Sequence, residues 1–335
     1  MTLRAFLAKR IIYTIILVFF VIVLNFLIFE AMPGQIGAVY AIAGQRSANN
    51  NDQYNRIVQL YHLNESFQSR FVAYVTNLLT FNFGDSYDSH QSVLSGMIGS
   101  GRLFNTLVLI GTSTLLSIVI GIFIGILISK RRGSSWDSLM VTTSLTAFSL
   151  PVFFIGIILI LIFAITLGWF PSGNVVPFDW GNPNIGPPHS IFLQILVRLQ
   201  YLFLPALTLT FITYGGFLLL TRATMLETLS DDYITTARAK GLSERVILFK
   251  HAFKNASLPL VTATALSFGG ILGGAIITET LFNLTGLGLW LFQSVLNKDY
   301  PVMAAMFYII ALSVIIANFI SDIIYGIIDP RIRYE

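Results

Sequence analysis

The 335-residue sequence predicts an all-α integral membrane protein with six transmembrane helices in a single transmembrane domain, residues 1–335, and both termini cytoplasmic. Three observations carry that fold class. The chain is 55% hydrophobic and only 11% charged, whereas soluble domains hold about 25% charged residues. Its apolar residues gather into runs long enough to cross the hydrocarbon core, which takes about 20 residues of helix. Its Lys and Arg residues crowd onto one set of connecting segments, as cytoplasmic loops do. A mean hydropathy of +0.77 agrees. This composition excludes a disordered chain and an ordinary water-soluble enzyme. The lack of cysteine excludes disulfides, thiolate nucleophiles and cysteine-ligated metals.

The first span runs from about Ile11 to Phe29, behind Arg4, Lys9 and Arg10. Its charge-free run exceeds the roughly 7–15 apolar residues of a signal peptide, and no small-residue cleavage site closes it, so it reads as a retained helix. The second span is about Leu103 to Ser129, and the third about Leu139 to Leu167 with Pro151 inside. The fourth is about Tyr201 to Thr221 with Pro205 near its start, the fifth about Leu258 to Leu281, and the sixth about Val302 to Ile328. The prolines predict kinks, tolerated where neighbouring helices satisfy the freed carbonyls. Segments 1–10, 130–138, 222–257 and 329–335 hold 14 of the 20 Lys and Arg residues, which sets that side as cytoplasmic.

Three connections are longer than turns. The outer loop 33–101 is Asn-rich in its middle. It regains helical spacing at Leu60, Leu63, Phe67, Phe71, Tyr74, Val75, Leu78 and Leu79, so it reads as a small ordered external cap. The outer segment 168–188 is rich in Gly, Pro and Asn and reads as loop. The cytoplasmic loop 222–257 carries two helix starts. Ser230 caps a helix with Asp231 and Asp232 in its first turn, and Gly241 ends that helix in the left-handed region. Ser243 caps a second helix with Glu244 in its first turn, and Asn255 and Pro259 separate it from the fifth span. A helix–turn–helix can bind DNA. Here both ends are tethered to the bilayer, and four acids (Glu227, Asp231, Asp232, Glu244) offset four of the six basic residues, so no nucleic acid is expected. Paired caps around one glycine point instead to a docking element for a soluble partner.

Acids inside spans are candidates for function because they are costly there. Glu279, near the outer end of the fifth span, reads either as a pathway or gate residue or as an interfacial acid paired with a neighbouring helix. Asp322 is expected to pair with Arg331 or Arg333 near the inner surface, and Glu30 is interfacial. Gly269-Gly270 and Gly273-Gly274 form a small-x-x-x-small pattern suited to helix packing. The four histidines show no metal-ligand spacing and Ser172 has no His–Asp partner suggested by spacing, so an intramembrane enzyme is disfavoured. A stand-alone channel or secondary transporter is disfavoured by the lack of an internal repeat.

The stretch Asp232-Tyr-Ile-Thr-Thr-Ala-Arg-Ala-Lys-Gly-Leu-Ser-Glu244, with His251-Ala-Phe-Lys-Asn-Ala-Ser-Leu-Pro259, resembles the cytoplasmic signature loop of ABC-importer permeases of the peptide type, which serve oligopeptides, dipeptides and nickel. The resemblance extends along the chain. It takes in Pro33-Gly34, Phe83-Gly-Asp-Ser86, Asn105-Thr-Leu107 and Gly168-Trp-Phe-Pro-Ser-Gly173. It continues through Glu279-Thr-Leu-Phe282, Gly286-Leu-Gly288, Asp299-Tyr-Pro301 and Asp329-Pro-Arg331. Gln35 and Thr285 depart from the family's usual acid and proline, and Thr235-Thr-Ala237 stands where the general signature has Glu-Ala-Ala. The large outer loop after the first helix resembles the B-type subunit.

This resemblance implies a type I ABC-importer permease fold and a transmembrane pore subunit that moves peptides or similar solutes inward, oligosaccharides being the alternative cargo. It implies a second homologous permease as heterodimer partner, two ATPase subunits and an extracellular or periplasmic substrate-binding protein. The chain has no G-x-x-x-x-G-K-[ST] phosphate loop. It is therefore expected to bind no cofactor directly and not to be an enzyme, with ATP and Mg used by the partner ATPases. Asp232, Tyr233, Ala237, Arg238, Ala239, Lys240, Gly241, Ser243 and Glu244 are the expected ATPase-coupling residues; no metal site is expected.

Overall fold

A computed structural model describes residues 3–31, 66–182, 185–269 and 275–328. Every regular element among them is helical. The first helix, α1 (Leu3–Ala31), turns Ile15, Phe19 and Phe20 outward, as a lipid-facing surface requires. Its other side buries Ile22, Phe26 and Phe29. The cap helix α2 (Phe67–Leu79) starts at Ser66, whose hydroxyl accepts the Ser69 N–H. Phe67, Phe71 and Tyr74, one helical turn apart, each pack their rings on Phe26 at 5.2–5.3 Å. The aromatic spacing read as a cap is thus the face that fastens α2 to α1. Leu60, Leu63 and the Asn-rich middle of the loop lie outside the described residues.

After the short α3 (Val93–Ile98), α4 (Arg102–Ser129) and α7 (Ile191–Leu229) form the main helix pair. Ser113, Ser117, Gly121 and Gly125 recur every four residues along α4 and line this seam. A Cβ on Gly121 would lie 2.6 Å from the Tyr214 carbonyl oxygen, and one on Gly125 would lie 2.6 Å from Thr221 Cβ. Small residues let the backbones meet, which is how helices associate where no hydrophobic drive separates them from lipid. The predicted Gly269–Gly274 pattern is not this seam, and most of it lies outside the described residues.

The expected third span is not one kinked helix. α5 (Ser135–Ser149) and α6 (Val152–Leu159, continued by a π-helical stretch Ile160–Thr166) meet at 107°. Pro151 forces the residue before it out of the helical region, and Leu150 is extended (φ −86°, ψ 137°). The fourth helix is longer than predicted, 39 residues instead of a span from 201 to 221. Its ends carry Gln194, Arg198, Arg222 and Glu227, polar enough to stop an apolar count yet compatible with helix.

The segment after α7 folds as α8 (Asp232–Ala239) and α9 (Glu244–Val246), a π-helical stretch Ile247–Ala252, and α10 (Phe253–Gly269). Neither Asn255 nor Pro259 breaks this run, contrary to expectation. Ala252, Ala256 and Leu260, four residues apart, are buried along it and hold the helix through the proline. The short helices α11 (Ile276–Leu281) and α12 (Leu287–Asn297) lead to α13 (Tyr300–Ile328), which packs on α1 and α10. Among the described residues, four helices are long and apolar enough to span a membrane, or five if α5 and α6 count as one broken span. Arg10 pairs with Asp322 at 2.9 Å, tying α1 to α13; Arg331 and Arg333 lie outside the described residues, as do Pro33-Gly34 and Asp329-Pro-Arg331.

Candidate coupling element and outer clasp

Gly241 has φ +78°, the left-handed conformation expected of it. Around it, the Gly241 N–H donates to the Arg238 carbonyl at 2.9 Å and the Leu242 N–H to the Ala237 carbonyl at 3.3 Å. These two bonds form a Schellman cap, satisfying carbonyls that a helix end otherwise leaves open. Arg238 Nε then reaches 3.0 Å across the turn to Glu244 Oε1, and Asn255 donates to the Tyr233 hydroxyl at 2.8 Å. Ser230 does not start α8. It closes α7, with its hydroxyl donating to the Glu227 carbonyl, and Asp231 takes the N-cap position. Ser243 holds the N-cap position of α9 without a side-chain hydrogen bond.

The nine expected residues fall on one short hairpin, but they face two ways. Asp232, Tyr233, Arg238, Ala239, Lys240, Gly241 and Ser243 are exposed, and Glu244 is half-buried. Ala237 turns inward with Ile234, packing against Met225, Ile247, Leu248 and Ala252, with Ile126 of α4 in the same cluster. Its small side chain lets α8 approach the chain's own core. Tyr233, Leu242, Val246 and Phe249 leave an apolar surface open to the solvent side.

A second fixed point lies beside this hairpin. Arg222 of α7 grips Asp137 of α5 in a bidentate pair, Nε to Oδ1 at 2.6 Å and the terminal nitrogen to Oδ2 at 2.7 Å. The Gly133 N–H also donates to this carboxylate at 2.9 Å. The Arg222 hydrogen bonds, helped by that N–H, hold the Asp137 carboxyl below the usual carboxylate range, and the pair raises the guanidinium above its own. Sequence reading missed this pair. The signal available was an acid standing alone in a basic segment (Lys130, Arg131, Arg132) at the mouth of a span.

At the opposite end, Glu279 is wholly buried. Its Oε1 accepts the Thr106 hydroxyl at 2.8 Å, its Oε2 accepts the Leu289 N–H at 3.0 Å, and the Gly288 N–H adds a third donor. Thr106 in turn accepts the Leu287 N–H at 2.8 Å. A carboxylate at the first turn of α12 meets open N–H groups and the positive end of the helix dipole. Asn105 donates to the Thr285 carbonyl at 2.7 Å beside it. Asp299, also wholly buried, accepts the Ser86 hydroxyl and the N–H groups of Tyr87 (3.0 Å) and Asp88 (3.4 Å). Burial, helped by the Asp299 charge, pushes the Tyr87 phenol well above its usual value. Finally, the Asn174 N–H donates to the Phe282 carbonyl at 2.8 Å, where Gly173 leaves no room for a Cβ.

Apolar helices clasped at one end by buried carboxylates and extended at the other by a glycine-turned helix pair define a polytopic membrane protein. Residues 117–334 match the family described as binding-protein-dependent transport system inner membrane component, and the chain belongs to that family. It is thus the permease component of a binding-protein-dependent ABC importer. It is 34% identical to the oligopeptide transport system permease protein AppB of Bacillus subtilis, over 98% of this chain and 99% of the relative. It is 33% identical to the di/tripeptide transport system permease protein DppB of Pseudomonas aeruginosa, over 99% of both. It is 34% identical to the glutathione transport system permease protein GsiC of Escherichia coli, over 98% of both.

Proposed function

We propose that this chain is one half of the transmembrane pore of an ATP-driven peptide importer. In this reading six spans place both termini in the cytoplasm. A second, non-identical permease completes the pore, two ATPase subunits dock on the cytoplasmic face, and an external binding protein delivers the peptide. The observation that carries the proposal is the exposed, rigidly capped hairpin Asp232–Glu244. Its Schellman turn and the Arg238–Glu244 pair fix its shape, and Tyr233, Leu242, Val246 and Phe249 offer a partner an apolar surface. Peptide cargo follows from relatives named for oligopeptides, di/tripeptides and glutathione.

ATP hydrolysis, with its Mg, belongs to the docked subunits; the hairpin receives their movement. Ile234 and Ala237 pass displacement into a cluster shared with α4, α7 and α10. The Asp137–Arg222 pair carries it on to α5, and so to the sharp corner at Pro151. Packed elements of this kind move as rigid bodies. Glu279 serves by fixing the start of α12 and lines no path. Expression with its neighbouring transport subunits, mild-detergent purification and reconstitution with labelled di- and tripeptides test this. Co-purified ATPase and second-permease subunits with ATP-dependent uptake are expected. Ion flux or ATP hydrolysis by the pure chain would overturn the proposal.

A further inference from the structure

An open cleft of about 350 Å³ lies between the end of α4, the end of α7 and the α8–α9 turn. Three cations from two separate elements converge on it: Lys130 and Arg132 from the connection after α4, and Arg238 from α8. Glu244 is the acid on its wall, and it stands 3.0 Å from Arg238. Lys130 and Arg132 make no ion pair among the described residues. Asp137, in the first turn of α5 just beyond these two, is paired with Arg222. Leu226, Leu229 and Leu248 give the cleft an apolar floor. A positive-inside bias calls only for cations somewhere on this face. It does not call for three of them around one apolar-floored cleft.

Depth supplies the second observation. The 28 residues of α4 are about 42 Å long at ~1.5 Å per residue. That matches a bilayer measured across its headgroups, about 40–45 Å. A helix of that length set upright with Arg102 in one headgroup layer brings Lys130 and Arg132 to the headgroup layer of the other leaflet. Guanidinium groups present planar donor forks that match phosphate oxygens, and an ammonium adds a point charge.

We propose that this cleft binds the phosphate of an anionic phospholipid headgroup, held by Lys130, Arg132 and Arg238, with the glycerol and first methylenes on the leucine floor. The phosphate competes with Glu244 for Arg238, so occupancy reaches the turn at Gly241. Binding itself is independent of the peptide reading.

Native mass spectrometry of the assembled complex, released from bilayers of phosphatidylglycerol and phosphatidylcholine, tests this. Retention of phosphatidylglycerol in preference to phosphatidylcholine is expected. The double variant Lys130→Gln, Arg132→Gln changes two exposed side chains, so thermal unfolding in detergent should match wild type. Its phosphatidylglycerol retention should fall at least about tenfold, at ~1 kcal/mol per basic residue. Lys250→Gln, exposed and outside the cleft, should retain lipid normally. Displacement of the retained phosphatidylglycerol by millimolar inorganic phosphate would support a phosphate-binding site, whereas binding of inorganic phosphate by a complex that retains no phosphatidylglycerol would overturn the lipid assignment in favour of free phosphate. A complex without phospholipid or phosphate binding, or equal loss in Lys250→Gln, would overturn the proposal.

Discussion

Replacing Glu279 by alanine removes the acceptor shared by Thr106, Gly288 and Leu289 in a fully buried place. A buried donor left without a partner costs about 1–3 kcal/mol. The Thr106 hydroxyl can turn to another acceptor, but the two N–H groups at the start of α12 cannot. The loss is therefore about 2–6 kcal/mol. Glutamine keeps one acceptor oxygen, and its NH2 can donate to Thr106 Oγ1, so Glu279→Gln should lose about 1–2 kcal/mol. Thermal unfolding in detergent should rank wild type, glutamine and alanine in that order, with peptide uptake following the same order. A glutamine variant with wild-type stability but no uptake would refute a structural role and return Glu279 to the pathway.

Four further outcomes follow from the same geometry. Gly241→Val meets open space but holds φ +78°, which costs a branched residue about 1–2 kcal/mol; it should insert normally and lose uptake, and normal uptake would count against the coupling role. Asp137→Asn breaks a pair whose carboxyl titrates below its ordinary ~3.9, so that pair's contribution is present above about pH 4 and lost as pH falls through the folded value. The stability gap to wild type, read by thermal unfolding, should accordingly shrink on acidification, and a gap that widens would refute the assignment. Gly121→Ala places a methyl against the Tyr214 carbonyl and should cost about 1–3 kcal/mol of stability, read as a lower unfolding temperature, whereas Gly111→Ala, where nothing is close, should leave that temperature unchanged. Asp299→Asn weakens the hold on residues 86–88, and limited proteolysis should then cut the loop before α3 faster than in wild type; an unchanged rate would refute the clasp.

Local chemistry made the hairpin legible. A glycine between a helix ending in Lys240 and a Ser-Glu start states its own conformation, and φ +78° agrees. Ser230 misled because a capping hydroxyl serves either end of a gap. α7 runs on to Leu229, so Ser230 closes that helix and the start of α8 moves one residue along. Pro259 misled for the opposite reason: the burial of Ala252, Ala256 and Leu260 outweighs a lost backbone hydrogen bond. Glu279 was legible as an anomaly but not as a partner, since Thr106 lies 173 residues away in sequence. The seam glycines Gly121 and Gly125 sit inside an apolar run, where a small residue leaves no mark on hydropathy.

The short motifs scattered along the chain prove to be halves of contacts. Asn105-Thr-Leu107 meets Thr285 and Gly286-Leu-Gly288 around Glu279. Phe83-Gly-Asp-Ser86 meets Asp299. Gly168–Gly173 ends against Phe282. In the first two pairings a buried carboxylate gathers donors from a distant segment, and in the first of them Gly286 and Gly288 stand where a side chain would collide with Glu279. A Cβ on Gly286 would fall 2.6 Å from Thr106 Oγ1. Three such clasps fix the segment 276–300 to α4, to the loop before α3 and to the loop after α6. The opposite end is held by the Schellman turn at Gly241 and, more strongly than by the exposed Arg238–Glu244 pair, by the more buried Asp137–Arg222 pair. With both ends stiff, and close backbone packing along the α4–α7 seam between them, local bending has few places to go. On the proposed coupling role, displacement delivered at the hairpin would reach the opposite end as tilt of whole helices, with the 107° corner at Pro151 as the break in that frame.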